Sequence, residues 1–260
     1  MKQSPPYTEG RNLLAGKTIL ITAAAGGGIG FSTAKRCLEE GAKAVYIADI
    51  HPRRTPETVE QFNALGLGTV YGGLCNVTVQ EDVDNMFRDA IEKMGHIDIV
   101  MNNAGLGGTA NVHEMTDDQW NNVLNVSLTG CFRVMRGALQ HMYERQEGVI
   151  VNNASVLGWR AQKGQAHYAA AKAGVMALTR CAALEAADHN VRINAVSPSL
   201  AMHPFLHKVT SPELLEELTS REAFGRYAEP WEIANVMIFL ASDLSTYMTG
   251  EVLSVSSQHA

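Results

Sequence analysis

Seven short apolar runs alternate along the chain with longer stretches in which apolar residues return every three or four positions. The strand-like runs cover 17–22, 44–48, 69–74, 97–101, 149–153, 192–196 and 252–255, and the helical stretches cover 31–40, 57–65, 79–94, 116–143, 165–188 and 230–242. Runs such as Val149, Ile150 and Val151 are apolar at consecutive positions, as expected of strands covered on both faces. Strands separated by helices of this length require right-handed crossovers, hence a parallel sheet. The pattern therefore predicts a single α/β domain over 1–260, doubly wound around a seven-stranded parallel sheet. Residues 1–14 form an N-terminal extension. Residues 202–227 form a long excursion, with Met202, Phe205, Leu206, Leu214, Leu215 and Phe224 as an apolar cover over a substrate.

Composition narrows the function classes. The 260 residues are 46% hydrophobic and 18% charged, a soluble globular balance with enough chain for one large core. A net charge of −6, without a Lys/Arg cluster, argues against nucleic acid as a partner. No apolar run approaches the roughly 20 residues of a membrane helix, and the polar start lacks a secretory core. Cys37, Cys75, Cys131 and Cys181 fit neither C-x-x-C nor zinc spacing, so reduced thiols in a cytoplasmic protein are expected. His203 and His207 are four apart, but Pro204 lies between them and no third ligand is evident, so no metal site is expected.

Three features carry candidate chemistry. The run T-A-A-A-G-G-G-I-G, from Thr22 to Gly30, follows the first strand and opens the first helix. In that context Gly26, Gly28 and Gly30 let a pyrophosphate approach backbone N–H groups at the positive end of a helix, the device of the Rossmann fold. Asp49 ends the second strand about twenty residues on, where a carboxylate accepts adenosine ribose hydroxyls. N-N-A-G, Asn102 to Gly105, turns sharply at the end of the fourth strand and leaves room for a flat ring. Finally, Ser155 ends the fifth strand, while Tyr168 and Lys172 lie one turn apart on one face of the following helix. A phenol ordinarily titrates near pH 10, too high for a base at neutral pH, and an adjacent ammonium favours the phenolate. Taken alone, each feature has a plain reading: a flexible turn, a strand-end Asp, a surface Tyr–Lys pair. Their order along one chain is what makes them a set.

That set resembles the short-chain dehydrogenase/reductase family over essentially the whole chain, with the usual thirteen-residue step from Ser155 to Tyr168. The resemblance implies an NAD(P)-dependent oxidoreductase working between a secondary alcohol and a ketone, with NAD expected and NADP as the alternative. By likeness, Tyr168 is the general acid/base, Lys172 supports it and holds the nicotinamide ribose, and Ser155 orients the substrate oxygen. Asn125 would position a water in a proton relay to Lys172. Ile29, Asn76, Val77, Asn103, Ala104, Gly105 and Ala201 complete the implied cofactor contacts. His203 falls where the family places a threonine on the nicotinamide amide, and Asn76 replaces an aspartate beside adenine. An alanine, Ala23 or Ala24, replaces the first glycine of the loop, so either the loop bulges or an alanine adopts a glycine-like conformation. The family forms dimers and tetramers, which implies a homo-oligomer here, with Leu124, Leu128, Phe132 and Leu139 on the faces available for it. The runs 152–162, 223–232 and 247–258 are similar to a bacterial steroid-catabolic branch acting on a hydroxylated methylindanone carboxyl-CoA. Trp159 and Arg160, four and five residues after Ser155, join Ser155 and Tyr168 as substrate residues, and Arg160, Lys163 and Lys208 would pair with CoA phosphates at the rim. A 3-oxoacyl-carrier-protein or -CoA reductase is the alternative, and a non-catalytic dinucleotide-binding member is a third reading from a different class.

Overall fold

Alternation of side chains across the pleat divides the strand residues between two cores. The computed structural model of the chain describes residues 4–202, 206 and 211–258. Strands β1 (Thr18–Thr22), β2 (Ala44–Asp49), β3 (Thr69–Leu74), β4 (Ile99–Asn102), β5 (Gly148–Asn153), β6 (Val191–Pro198) and β7 (Val252–Val255) form one parallel sheet in the order 3-2-1-4-5-6-7. Leu20, Tyr46, Val100, Ile150 and Ile193 point to one face, against α3 (Gln80–Met94), α5 (Gly130–Arg145) and α6 (Ala166–Ala187). Ile19, Ile21, Val45, Ile47, Met101 and Val151 point to the other, against α1 (Ile29–Glu39), α2 (Arg54–Asn63) and α8 (Pro230–Ala241). Two buried faces explain why the central strands read as continuous apolar runs. The strand order reverses between β1 and β4, so their carboxyl ends open a crevice there, where ligands bind in sheets of this kind.

Two elements depart from the sequence pattern. The helix expected over 116–143 is divided into α4 (Asp117–Leu124), a π-helical turn (Asn125–Thr129) and α5. Gly130 donates to the Asn125 carbonyl across the wide turn, and a Cβ on Gly130 would lie 2.7 Å from the Val77 side chain. Apolar periodicity cannot register one added residue in a turn. The excursion over 202–227 also contains a helix, α7 (Pro212–Ser220), begun by the Ser211 hydroxyl accepting from the Leu214 N–H with Pro212 in the first turn. Ser followed by Pro is a helix-start signal.

The N-terminal extension is packed across α1 and α8. Tyr7 meets Trp231 edge-on at 5.3 Å, and Thr8 accepts from Arg36. Buried Glu40 pairs with Arg36 and accepts from the N–H groups of Arg11 and Leu13. All four cysteines are free; burial pushes the Cys75 and Cys131 thiols up to about 12, while Cys181 is exposed. No helix among the described residues is long and apolar enough to cross a membrane.

At the amino edge of the sheet Asp98 joins three strands. Its carboxylate accepts from the Thr18 N–H (2.9 Å), the Thr18 hydroxyl (3.0 Å) and Arg145 (2.8 Å), while its carbonyl accepts from Val149. Burial raises the carboxyl's pKa, but Thr18, Arg145 and nearby His96 outweigh it, so it lies below the usual range. A depressed carboxylate stabilises the fold above the unfolded value near 3.9 and loses that contribution as pH falls through the folded value. Asp98→Asn should therefore cost about 1–3 kcal/mol at pH 7, and the deficit should shrink below about pH 4. Urea midpoints at pH 7 and pH 3 check this; a deficit independent of pH would contradict it.

Candidate active site

The crevice is built by crossbars between the ends of β1, β4 and β5. The Thr22 hydroxyl accepts from the N–H groups of Asn103 and Ala104, both at 3.0 Å. The Asn103 side chain donates to the carbonyls of Thr22 and Ala23, each at 3.1 Å, and accepts from Asn153 at 2.8 Å. Ala23 has φ 51°, so an alanine takes the left-handed conformation that the family gives to glycine, at a cost of about 1 kcal/mol. Gly26 and Gly27 follow with φ 90° and 110°. A Cβ on Gly30 would lie 2.4 Å from the Ala23 carbonyl and 2.5 Å from the Asn103 amide, which fixes glycine there.

The residues suit a dinucleotide. Gly28 caps α1 without a side-chain hydrogen bond, and a Cβ there would meet nothing within 4 Å. The first-turn N–H groups therefore have no side-chain cap at Gly28, the arrangement in which a helix start takes a pyrophosphate. Asp49, buried at the end of β2, accepts from Ala25 on one oxygen and His51 on the other, both at 3.1 Å. Each oxygen keeps a lone pair for a ribose hydroxyl. The Asn76 side-chain oxygen accepts from the Thr78 N–H and hydroxyl, so its N–H pair rather than its oxygen is left for a ligand. Among the described residues the buried Oδ1 of Asn153 and hydroxyl of Ser197 have no hydrogen-bond partner. Val77 and Ala201 are buried, and Ile29 packs against the core beside the loop. His203, with Phe205, His207 and Lys208, lies outside the described residues.

The catalytic candidates converge because α6 presses closely on the turn after β5. A Cβ on Gly158 would lie 2.6 Å from the Met176 methyl and 3.1 Å from the Ala173 nitrogen. That approach sets the α6 face bearing Tyr168 and Lys172 beside the strand end. Lys172, only 2% exposed, donates to the Asn153 carbonyl at 2.6 Å and stands 5.6 Å from the Tyr168 ring centre. A Cβ on Gly105 would come within 3.3 Å of its ammonium, so the N-N-A-G turn closes against it. Ser155 is extended, its hydroxyl oxygen accepts from Leu157 at 3.3 Å, and among the described residues its proton has no acceptor.

Asn125 and Arg160 are each held by a side-chain hydrogen bond within the protein. The Asn125 amide oxygen accepts from Arg133 at 2.9 Å, and its carbonyl serves the π turn. It lines an open groove of about 840 Å³ with Asp118, Gln119, Asn122 and Thr129. In the same turn the Ser127 hydroxyl exchanges two 2.9 Å hydrogen bonds with the backbone of Leu106, just past the N-N-A-G turn. Arg160 is not a free rim cation: it donates to the side chain and carbonyl of Gln258, at 2.6 and 3.1 Å. Trp159 is 49% exposed beside it. Sequence reasoning missed Thr22, Asn153 and Ser127, whose partners are distant in the chain. On the faces considered for assembly, Leu128 and Leu139 pack into the core, while Phe132 is exposed beneath Arg136.

Known proteins resemble the chain over nearly its whole length. A family model described as enoyl-(acyl carrier protein) reductase matches residues 23–257. The chain is 58% identical over 257 residues to (5R,7aS)-5-hydroxy-7a-methyl-1-oxo-2,3,5,6,7,7a-hexahydro-1H-indene-carboxyl-CoA reductase of Mycobacterium tuberculosis, covering 98% of each chain. It is 38% identical to a 3-oxoacyl-(acyl-carrier-protein) reductase of Thermotoga maritima, covering 93% of this chain and 97% of that one. A short-chain dehydrogenase of Mycobacterium smegmatis superposes with a TM-score of 0.89 at 54% identity, covering 99% of both chains. Other solved structures of this fold hold either nucleotide. A xylitol dehydrogenase with NAD+ is 31% identical (TM-score 0.87; 94% of this chain, 99% of that one), and an actinorhodin polyketide ketoreductase with NADPH is 29% identical (0.87; 93% and 96%). Matches of this extent along nearly the whole chain show that it belongs to the short-chain dehydrogenase/reductase family of oxidoreductases.

Proposed function

We propose that the chain interconverts a ring alcohol and ketone on a fused-ring carboxyl-CoA ester, with NAD as its preferred cofactor, in the breakdown of a steroid skeleton. The observation that carries the substrate is the 58% identity, over 98% of both chains, to the indene-carboxyl-CoA reductase. The bound nicotinamide would supply or accept hydride at the substrate carbon. The chain's own groups do the rest. Tyr168 passes its hydroxyl proton to the substrate oxygen, or takes one from it. Ser155 donates a hydrogen bond to that oxygen, its own lone pair being held by Leu157. Lys172, fixed on Asn153, has two further N–H donors for the ribose hydroxyls. Asp49 would take the adenosine ribose, with Asn76 and Val77 beside the adenine and Gly26, Gly28, Ile29 and Gly30 around the pyrophosphate. Asn103, Ala104, Gly105, Ala201 and His203 would line the nicotinamide end. Residues 202–227 would cover the substrate, and the protein would act in the cytoplasm as a dimer or tetramer, with exposed Phe132 among the contacts.

Tyr168→Phe keeps the ring and its packing and removes only the proton. It should lower kcat by about 10²–10⁴-fold while the NADH dissociation constant stays within about twofold. Stopped-flow turnover at saturating substrate and NADH titration read the two quantities. A variant keeping most of its rate would remove the acid/base role.

Asp49 decides the cofactor. At about 4 Å and an effective dielectric near 20, a carboxylate and a ribose phosphate repel by on the order of 4 kcal/mol per unit charge before relaxation. Arg53 stands exposed beside Glu57, where solvent screens it. kcat/KM should favour NAD over NADP by roughly tenfold or more, and Asp49→Ser should erase most of the difference. Equal values in the wild type would contradict the reading. Assayed beside a straight-chain 3-hydroxyacyl-CoA and acetoacetyl carrier protein, the ring ester should have the highest kcat/KM; a straight-chain preference would instead favour the 3-oxoacyl reductase reading.

A further inference from the structure

The C-terminal strand end and the far end of the 202–227 excursion meet at a buried carboxylate. Glu222 is 4% exposed, and among the described residues it enters no ion pair. Instead one oxygen accepts from the Gln258 amide and the other from the Ser257 hydroxyl, both at 2.7 Å, while the Ala223 N–H bonds the Ser257 carbonyl. The same Gln258 carboxamide accepts from Arg160 through its oxygen at 2.6 Å. A carboxamide therefore stands between a guanidinium and a buried carboxylate, donating to one and accepting from the other. No charged side chain can do both: a carboxylate would repel Glu222, and an ammonium would repel Arg160. Each end of the bridge is flanked by an exposed aromatic side chain, Trp159 next to Arg160 and Phe224 two residues beyond Glu222, at 49% and 55% exposure. Arg160 itself closes the turn that begins at Ser155, through its N–H to the Val156 carbonyl.

We propose that Gln258 is a positioning residue for substrate recognition: its carboxamide ties Arg160 to Glu222 and so fixes Trp159 and Phe224 as the walls that hold a bulky ring. The role presumes the ring-ester reading above. It also explains why an arginine placed like a phosphate contact is held inward.

The test uses Gln258→Ala, Gln258→Glu and the exchange Glu222→Gln/Gln258→Glu, which restores one carboxamide and one carboxylate with their places swapped. Gln258→Ala and Gln258→Glu should raise KM for the ring carboxyl-CoA ester about tenfold. kcat, NADH affinity and kcat/KM for cyclohexanol should stay within about twofold. The exchange should recover most of the lost KM. In a Trp120→Phe/Trp231→Phe background, acrylamide quenching of Trp159 should increase in both single variants and return in the exchange. A general loss of kcat, or a KM and a quenching constant unchanged from wild type, would overturn the proposal. A lowered melting temperature in Gln258→Ala leaves Gln258→Glu and its rescue to decide. If the wild type turns over only straight-chain thioesters, the function proposed above fails; the quenching and rescue measurements, with KM read on that thioester, still judge the bridge.

Discussion

A buried ammonium must be held, and the way Lys172 is held organises the catalytic end of this protein. Its hydrogen bond to the Asn153 carbonyl requires three things at once: β5 ending at Asn153, α6 pressed onto the following turn, and a β4 loop small enough to pass. Gly158 permits the second and Gly105 the third. The apolar sheet beneath keeps this geometry rigid, since two cores bury both of its faces. An ammonium without such support would be costly to bury. With it, the same group stands beside a phenol and, in the proposed function, would also reach a ribose.

The cofactor end rests on a different principle, backbone groups left deliberately uncapped. Gly28 supplies no side-chain cap to α1, and Ala23 accepts a left-handed conformation so that Thr22 and Asn103 can bind β1 to β4. Strain and unspent N–H groups therefore lie together at the strand reversal, where the crevice opens. Asp49 faces the same opening from β2.

Much of this was legible in the sequence because it depends on local patterns. The seven strands follow from consecutive apolar positions, with ends displaced by two residues or fewer, and Tyr168 and Lys172 follow from helical spacing. The alternative at Ala23 was visible too, and the backbone chose the glycine-like alanine. What was hidden depends on distant partners or single-residue changes of winding. The π turn moves Asn125 onto Arg133 and brings Ser127 to Leu106, and no periodicity encodes that. Arg160 reads as a rim cation until Gln258, 98 residues later, takes its guanidinium. The helix after Ser211 carried a visible cap signal that the apolar character of its surroundings masked.

The central claim is that one ammonium serves both the phenol and the dinucleotide. Lys172→Met keeps the length and packing of the side chain and removes its charge and donors. NADH fluorescence titration and single-turnover rates on this variant test the claim together. The account predicts that affinity and rate both fall, the rate by at least about 10²-fold. An NADH dissociation constant and a turnover rate that both match wild type would contradict it.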